Sequence, residues 1–392
     1  MFDLKRAQEY MREKLIDAWL VYDFRGSNPV LWQIVGQTKH TGRRVYLFIP
    51  QEGPPRLLAH FLDKGQFEKM PYERELYTSW VEMRACLQEL LGNCSRVAME
   101  YSPGAALPIT SYADAGTVEL IRSLGIEVVS SANLFQIAVA AWSSEALDSQ
   151  LLVARDVASV KDLAFALIQR TTKTKVSVTE YDVQDCIMQE FQRRHLETPT
   201  RPNVSVNANS GNPHYEPSQE RASPIQQGDW VLIDLWARYP GNHNVFADMT
   251  WVAYVGKQAP TRHQQIFDIV KSARDAVLQR LDRAWGQGEV LQGWQLDDVA
   301  REHIREAGYE KHFIHRTGHS MGPGATLHAL GVNLDNYETH DTRDVLPGLG
   351  FSVEPGIYLP AFGVRSEINV FIDPKRGPMV TTPIQDEIIT LG

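Results

Sequence analysis

The sequence predicts an α/β domain over residues 1–142 followed by an α+β domain over residues 143–392. Three observations carry this. A chain of 392 residues exceeds what one compact core ordinarily holds, so two domains are expected. The first part alternates short aliphatic runs with helix-forming stretches, the pattern of an α/β domain. The second part opens on one long helical period and then sets amphipathic helices beside long apolar strands.

In the first part, residues 17–23, 44–49, 56–61, 96–101 and 126–131 are β-branched or aliphatic runs bounded by turn residues, hence strands. Helix-forming composition fills Leu62 to Leu91 and Ser111 to Leu124, and the charged N-terminus reads as an amphipathic helix. A boundary is expected near Trp142-Ser143-Ser144-Glu145, followed by a long helix that links the domains. In the second part, Thr179-Glu180-Tyr181-Asp182 has the form of a capping box ahead of Val183, Ile187, Met188 and Phe191 on one helical face. Further helices are expected from Thr261 to about Leu281 and from about Leu296 to Ala307, the latter closed by Gly308. Residues 230–237, 248–256, 351–359 and 368–373 read as strands.

Composition narrows the function classes. Hydrophobic residues make up 43% and charged residues 22%, which excludes a disordered, collagenous or coiled-coil chain. The net charge of −9 gives no overall pull toward nucleic acid or anionic lipid. Cys86, Cys94 and Cys186 are an odd count without a CxxC pair, as fits a reducing compartment. No run approaches the ~20 apolar residues of a membrane span, and the N-terminus lacks the apolar core of a signal peptide. The expectation is a cytoplasmic protein without nucleic-acid or membrane partners.

Four carboxylates sit where apolar strands leave no obvious solvent face. Asp234 shares a strand face with Leu232 and Trp236, and Asp248 with Thr250, Val252 and Tyr254. Glu354 stands in Val353-Glu354-Pro355-Gly356, and Glu367 in Arg365-Ser366-Glu367-Ile368. Removing one unpaired carboxylate from water costs several kcal/mol, and several together repel one another. Bound divalent cations would solve both problems; the alternative is four surface acids on half-exposed strands. Histidines add to the first reading. His315 and His319 stand four apart, with Gly318 and Gly322 allowing close approach around His319. His328 follows, and His214 lies in the turn-like Asn212-Pro213-His214-Tyr215.

Taken in order, an Asp in an apolar strand, an Asp opening the next, a Gly-His, a Glu-Pro-Gly and an Arg-x-Glu, with His214 upstream, resemble the pita-bread metallopeptidases. The resemblance runs from about Ser143 to the C-terminus. The first domain resembles the creatinase-like N-terminal domain of the proline-specific members, which methionine aminopeptidases generally lack. The resemblance implies five metal ligands, Asp234, Asp248, His319, Glu354 and Glu367, with Asp248 and Glu367 bridging two ions. Such a hard, oxygen-rich set favours Mn²⁺, with Co²⁺ or Zn²⁺ feasible.

The implied activity is that of an Xaa-Pro dipeptidase (prolidase), using a hydroxide held between the two metals on small peptides with proline second. The alternatives are an Xaa-Pro aminopeptidase acting on longer peptides and a metal-free binding protein of the same fold. Glu354 would shuttle the proton, while His214 and His328 would orient substrate and stabilise charge. Arg365 would either pair with the proline carboxylate or brace Glu367. A homodimer is implied by analogy. Two departures from the family pattern are a longer hairpin through residues 238–243 and a small insertion at Pro323-Gly324.

Overall fold

The computed structural model describes residues 2–36, 41–174 and 176–392. The chain divides into two compact units, Met1–Val139 and Ala140–Gly392.

The first unit carries helices α1 (Leu4–Glu13), α2 (Pro29–Val35), α3 (Trp80–Leu91), α4 (Ala115–Ser123) and α5 (Ala132–Val139). Its strands are β1 (Ala18–Phe24), β2 (Arg44–Pro50), β3 (Arg56–His60), β4 (Glu73–Tyr77), β5 (Arg96–Met99) and β6 (Glu127–Ser130). They form one mixed sheet in the order β4-β3-β2-β1-β5-β6. β1 lies antiparallel to β2 and parallel to β5. Leu20 and Tyr22 pack on one face with Leu87, Leu91, Val118 and Ile121 from α3 and α4.

One expectation fails here. Residues 62–91 are not continuously helical: a 3₁₀ segment at Phe61–Phe67 and strand β4 precede α3. The charged Glu73-Arg74-Glu75 mimics a helix surface, but β4 is the sheet's edge strand, where charges discourage pairing with a further chain.

The second unit begins with α6 (Ser144–Thr174), whose buried stripe of Val153, Val157, Val160, Ala164 and Ile168 recurs at helical spacing. Helix α7 (Glu180–Arg193) starts at Thr179 with the expected capping box to Asp182. Strands β7 (Asn203–Val206), β8 (Trp230–Ala237) and β9 (Ala247–Tyr254) follow. Helices α8 (Thr261–Gln287) and α9 (Gly293–Glu306) come next; α8 runs a turn and a half past the expected end, to a left-handed Gly288. The remaining strands are β10 (Ser320–Met321), β11 (Gly350–Val353), β12 (Gly356–Tyr358), β13 (Gly363–Arg365), β14 (Ile368–Asp373), β15 (Gly377–Val380) and β16 (Ile389–Thr390). Sheets run in the orders β16-β9-β8-β7 and β10-β11-β14-β15, with β12 and β13 as a separate antiparallel pair.

Strand periodicity decides what each face of β8 and β9 does. Val231, Ile233 and Leu235 of β8, with Ala247, Met249 and Ala253 of β9, join the α6 stripe and Val183, Ile187 and Phe191 of α7 in one core. Each such aliphatic side chain, fully buried, contributes roughly 1.5–3 kcal/mol. That apolar face offsets the cost of the other face, which carries Asp234, Asp248 and Thr250.

Residues 351–359, expected as one strand, split at Glu354-Pro355 into β11 and β12, which belong to different sheets. Proline removes a ladder donor and forces the change of direction. The break leaves Glu354 just beyond the end of the β11–β14 ladder, where Val353 pairs with Ile368 and Glu367 stands directly before it.

Candidate metal centre

The β8–β9 register sets the first part of the site. Asp234 lies opposite Thr250, and Trp236 opposite Asp248. Thr250 binds both ends of the pair: its Oγ1 is 3.0 Å from Asp234 Oδ1 and 2.8 Å from Glu367 Oε2. The second sheet is tied on by Asn369 of β14, whose Oδ1 accepts from the Asp248 backbone N–H at 2.9 Å.

Gly318 brings in the imidazole. A Cβ at this position would lie 1.9 Å from the Ser352 carbonyl oxygen, so only glycine lets this segment approach β11. The His319 backbone N–H then donates to Ser352 Oγ at 2.9 Å, and the same hydroxyl donates to Glu354 Oε1 at 3.0 Å. His319 Nδ1 lies 3.1 Å from the Ser320 carbonyl oxygen, which can only accept, so the ring proton sits on Nδ1. Its Nε2 points at Asp248 Oδ2, 3.3 Å away, and Glu354 Oε1, 3.6 Å away.

All five residues line one cleft of about 440 Å³, together with His214, His328 and Arg365. Ligand-capable atoms of Asp248, His319 and Glu367 lie within 4.8 Å of one another, and all three side chains are buried. Asp234 and Glu354 join through Thr250 and His319.

The electrostatics fit a cation. Burial, with Asp248, Glu354 and Asp234 nearby, drives the Glu367 carboxyl well above the usual range. Burial also raises Asp248, and it raises Asp234 to about 7 although Arg365 opposes the shift. Burial alone would raise Glu354 as well, but the charges of His319 and Arg365 help to outweigh it and hold this carboxyl below its ordinary value. Asp248 Oδ1 and Glu367 Oε1 are buried without a hydrogen-bond partner. Burial would lower His319, but its contact with Asp248 and the charges of Glu354 and Asp248 raise it, so Nε2 faces carboxylates that call for positive charge. Acceptors facing acceptors in a buried site need something positive between them. Four carboxylates and one imidazole form a hard donor set suited to a divalent cation.

Arg365 is committed inside the site. It is paired with Asp234, donates from Nε to Thr250 Oγ1 at 2.9 Å and from one terminal nitrogen to Tyr358 Oη at 3.0 Å. Its brace acts on Asp234 directly and reaches Glu367 through Thr250. Tyr358 in turn donates to His315 Nε2 at 2.7 Å, and His315 Nδ1 donates to the Arg316 carbonyl. Burial lowers His315 to about 4, so this ring is neutral.

Thr250 and Tyr358 carried no role in the sequence reading. Thr250 was accessible to it, being two residues beyond Asp248 on the same face. Tyr358 was not, because it meets the site only through the β12–β13 hairpin.

The model of metallopeptidase family M24 matches residues 154–374, more than half of the chain. The chain belongs to metallopeptidase family M24. Family membership implies use of divalent metal. The chain is 29% identical over 228 residues to an Xaa-Pro dipeptidase of Lactobacillus delbrueckii subsp. lactis, covering 56% of this chain and 55% of that protein. It is 34% identical over 179 residues to an Xaa-Pro dipeptidase of Pyrococcus furiosus, covering 45% of each. The chain thus spans about half the length of the curated relatives it matches. The crystal structure of a prolidase from Thermococcus sibiricus shares the fold at a TM-score of 0.60 and 21% identity, over 99% of this chain and 98% of that one. Among the described residues, no helix is long and apolar enough to cross a membrane.

Proposed function

We propose that the chain is a dinuclear metallopeptidase that hydrolyses the bond before proline in Xaa-Pro dipeptides. The observation that carries this is the convergence of Asp234, Asp248, His319, Glu354 and Glu367 in one cleft, with buried acceptor atoms left unpaired. The relatives named Xaa-Pro dipeptidase support the substrate class. In this reading the five residues would hold two divalent ions, with Asp248 and Glu367 shared between them and Mn²⁺ preferred. Such ions supply Lewis acidity and a water acidic enough to ionise near neutral pH.

The remaining chemistry falls to this chain's own groups. Glu354, held ionised by its cationic surroundings, takes the proton of the attacking water and returns it to the leaving proline nitrogen. That nitrogen belongs to a tertiary amide, so expulsion requires its protonation at a hindered centre. His214 and His328, on the cleft wall, orient the substrate and stabilise charge on its carbonyl oxygen. Arg365 braces Asp234 and Thr250, with its side chain only 5% exposed. The reading includes a homodimer in the cytoplasm, with Cys86, Cys94 and Cys186 free; light scattering and cell fractionation test those two parts.

One observation favours a second reading as an Xaa-Pro aminopeptidase. A groove of about 670 Å³ lies beside the cleft and shares Pro199 and Arg201 with it. Room of that kind suits a longer peptide. The deciding experiment compares Xaa-Pro, Xaa-Pro-Yaa and Xaa-Ala peptides with Mn²⁺ present. The dipeptidase reading expects cleavage of Xaa-Pro alone. Efficient cleavage of the tripeptide gives the aminopeptidase, and no cleavage before proline removes both.

A further inference from the structure

We propose that Arg316 is a positioning residue that fixes the tautomer and orientation of His328, so that this imidazole meets the substrate as a neutral N–H donor. The inference rests on the peptidase reading for its consequence, but its geometry stands apart from it. A terminal nitrogen of Arg316 lies 3.2 Å from His328 Nδ1. A guanidinium has five donors and no acceptor, so Nδ1 must be the unprotonated nitrogen. The ring proton is therefore on Nε2. His328 remains exposed, and its ring centre is 4.1 Å from that of His319. The Nε2–H is thus presented beside the imidazole that faces Asp248 and Glu354.

The guanidinium is itself held. Glu338 accepts from the other terminal nitrogen of Arg316 at 3.1 Å and from the Arg316 backbone N–H at 3.1 Å. Glu338 stands in a turn wound around the buried Asp335. That carboxylate accepts from the backbone of Tyr337, Glu338 and Thr339 at 2.8–2.9 Å and from the Thr339 hydroxyl at 2.7 Å. The order of control is Asp335, Glu338, Arg316, His328. His319 commits Nδ1–H to the Ser320 carbonyl, whereas the neighbouring His328 carries its proton on Nε2. A lysine at 316 would keep the charge and one donor but lose the fork that spans Glu338 and His328 together.

Two measurements test this. Histidine ¹⁵N NMR of the purified full chain, with His328 assigned through His328→Asn, is expected to show the proton on Nε2 and a hydrogen-bonded Nδ1. The Nδ1 signature should be lost in Arg316→Met. A proton on Nδ1, or a signal unchanged by Arg316→Met, overturns the proposal. The second measurement is a double-mutant cycle on kcat for an Xaa-Pro dipeptide, at equal melting temperatures. Arg316→Met is expected to lower kcat roughly 10- to 100-fold with little change in KM, as supporting residues around such centres do. Arg316→Lys should recover part of that loss. Combined with His328→Asn, Arg316→Met should cost nothing further; multiplying losses overturn the proposal. If the wild-type chain cleaves no Xaa-Pro bond, the peptidase reading fails, and the NMR result alone decides the role of Arg316.

Discussion

His319 directs Nε2 at Asp248 Oδ2 from 3.3 Å while its Nδ1 proton is spent on the Ser320 carbonyl 3.1 Å away. The imidazole is therefore held with Nε2 facing the acid cluster, as ligating histidines are oriented by a partner on their other nitrogen. Without an ion, burial disfavours a proton on Nε2 but Asp248 and Glu354 outweigh it and raise this imidazole; a divalent ion would take the place of that proton.

Removal of metal should abolish hydrolysis and lower the melting temperature. At a hundredfold excess over Kd, a bound ion adds about 2.7 kcal/mol of stability. Asp248→Asn and Glu367→Gln should each lose metal and activity together, measured by elemental analysis beside dipeptide assays. Wild-type metal content with wild-type rates in either variant would refute the bridging assignment.

Acid should weaken the fold through His315. Burial holds this ring at about 4, whereas an unfolded histidine titrates near 6.5. The unfolded chain binds the extra proton between those values, so the contribution of His315 is complete above about pH 6.5 and lost as pH falls toward about 4. The slope is up to about 1.4 kcal/mol per pH unit in that window. Asp234, raised to about 7, contributes with the opposite sign. The comparison of melting curves for wild type and His315→Gln isolates the histidine. Identical slopes would contradict the assignment.

Arg365→Met should cost about 3–5 kcal/mol, because it strands the buried Asp234 carboxylate. Chemical denaturation measures it directly. A loss below about 1 kcal/mol would mean that Asp234 finds another partner.

Gly318→Ala should disable the site without touching a ligand. Its new methyl would meet the Ser352 carbonyl oxygen at 1.9 Å, a backbone atom that no side-chain rotation can move aside. The expected result is lowered stability with metal affinity reduced, read by calorimetric metal titration. Normal affinity in a folded Gly318→Ala protein would show that the approach of the two segments is adjustable.

The candidate site was more legible in the sequence than the fold around it. An acid amid Val231-Leu232-Ile233 or Phe351-Ser352-Val353 contradicts its neighbours, and the contradiction is visible without coordinates. Period-2 alternation also placed Asp234 with Trp236 on the face opposite the α6 core. What the sequence could not reveal were contacts between segments distant along the chain. From sequence, Arg365 can pair with a substrate carboxylate or brace Glu367; its partners in the structure are Asp234, Thr250 and Tyr358. The edge strand β4 was hidden by its charges, and the β11–β12 break by a continuous apolar run. Local patterns report what surrounds a residue in sequence, whereas sheet edges and strand breaks depend on which partner is present or missing.

Thr250 has a single hydroxyl hydrogen but two carboxylates within reach, Asp234 at 3.0 Å and Glu367 at 2.8 Å, while its oxygen receives the Arg365 Nε–H. One oxygen is always left without that hydrogen, and burial favours filling the deficit with a proton from water. Ions entering the cleft must evict such protons. Loading the apoprotein in weakly buffered solution should therefore acidify the medium, turning a pH electrode into a counter of occupied sites.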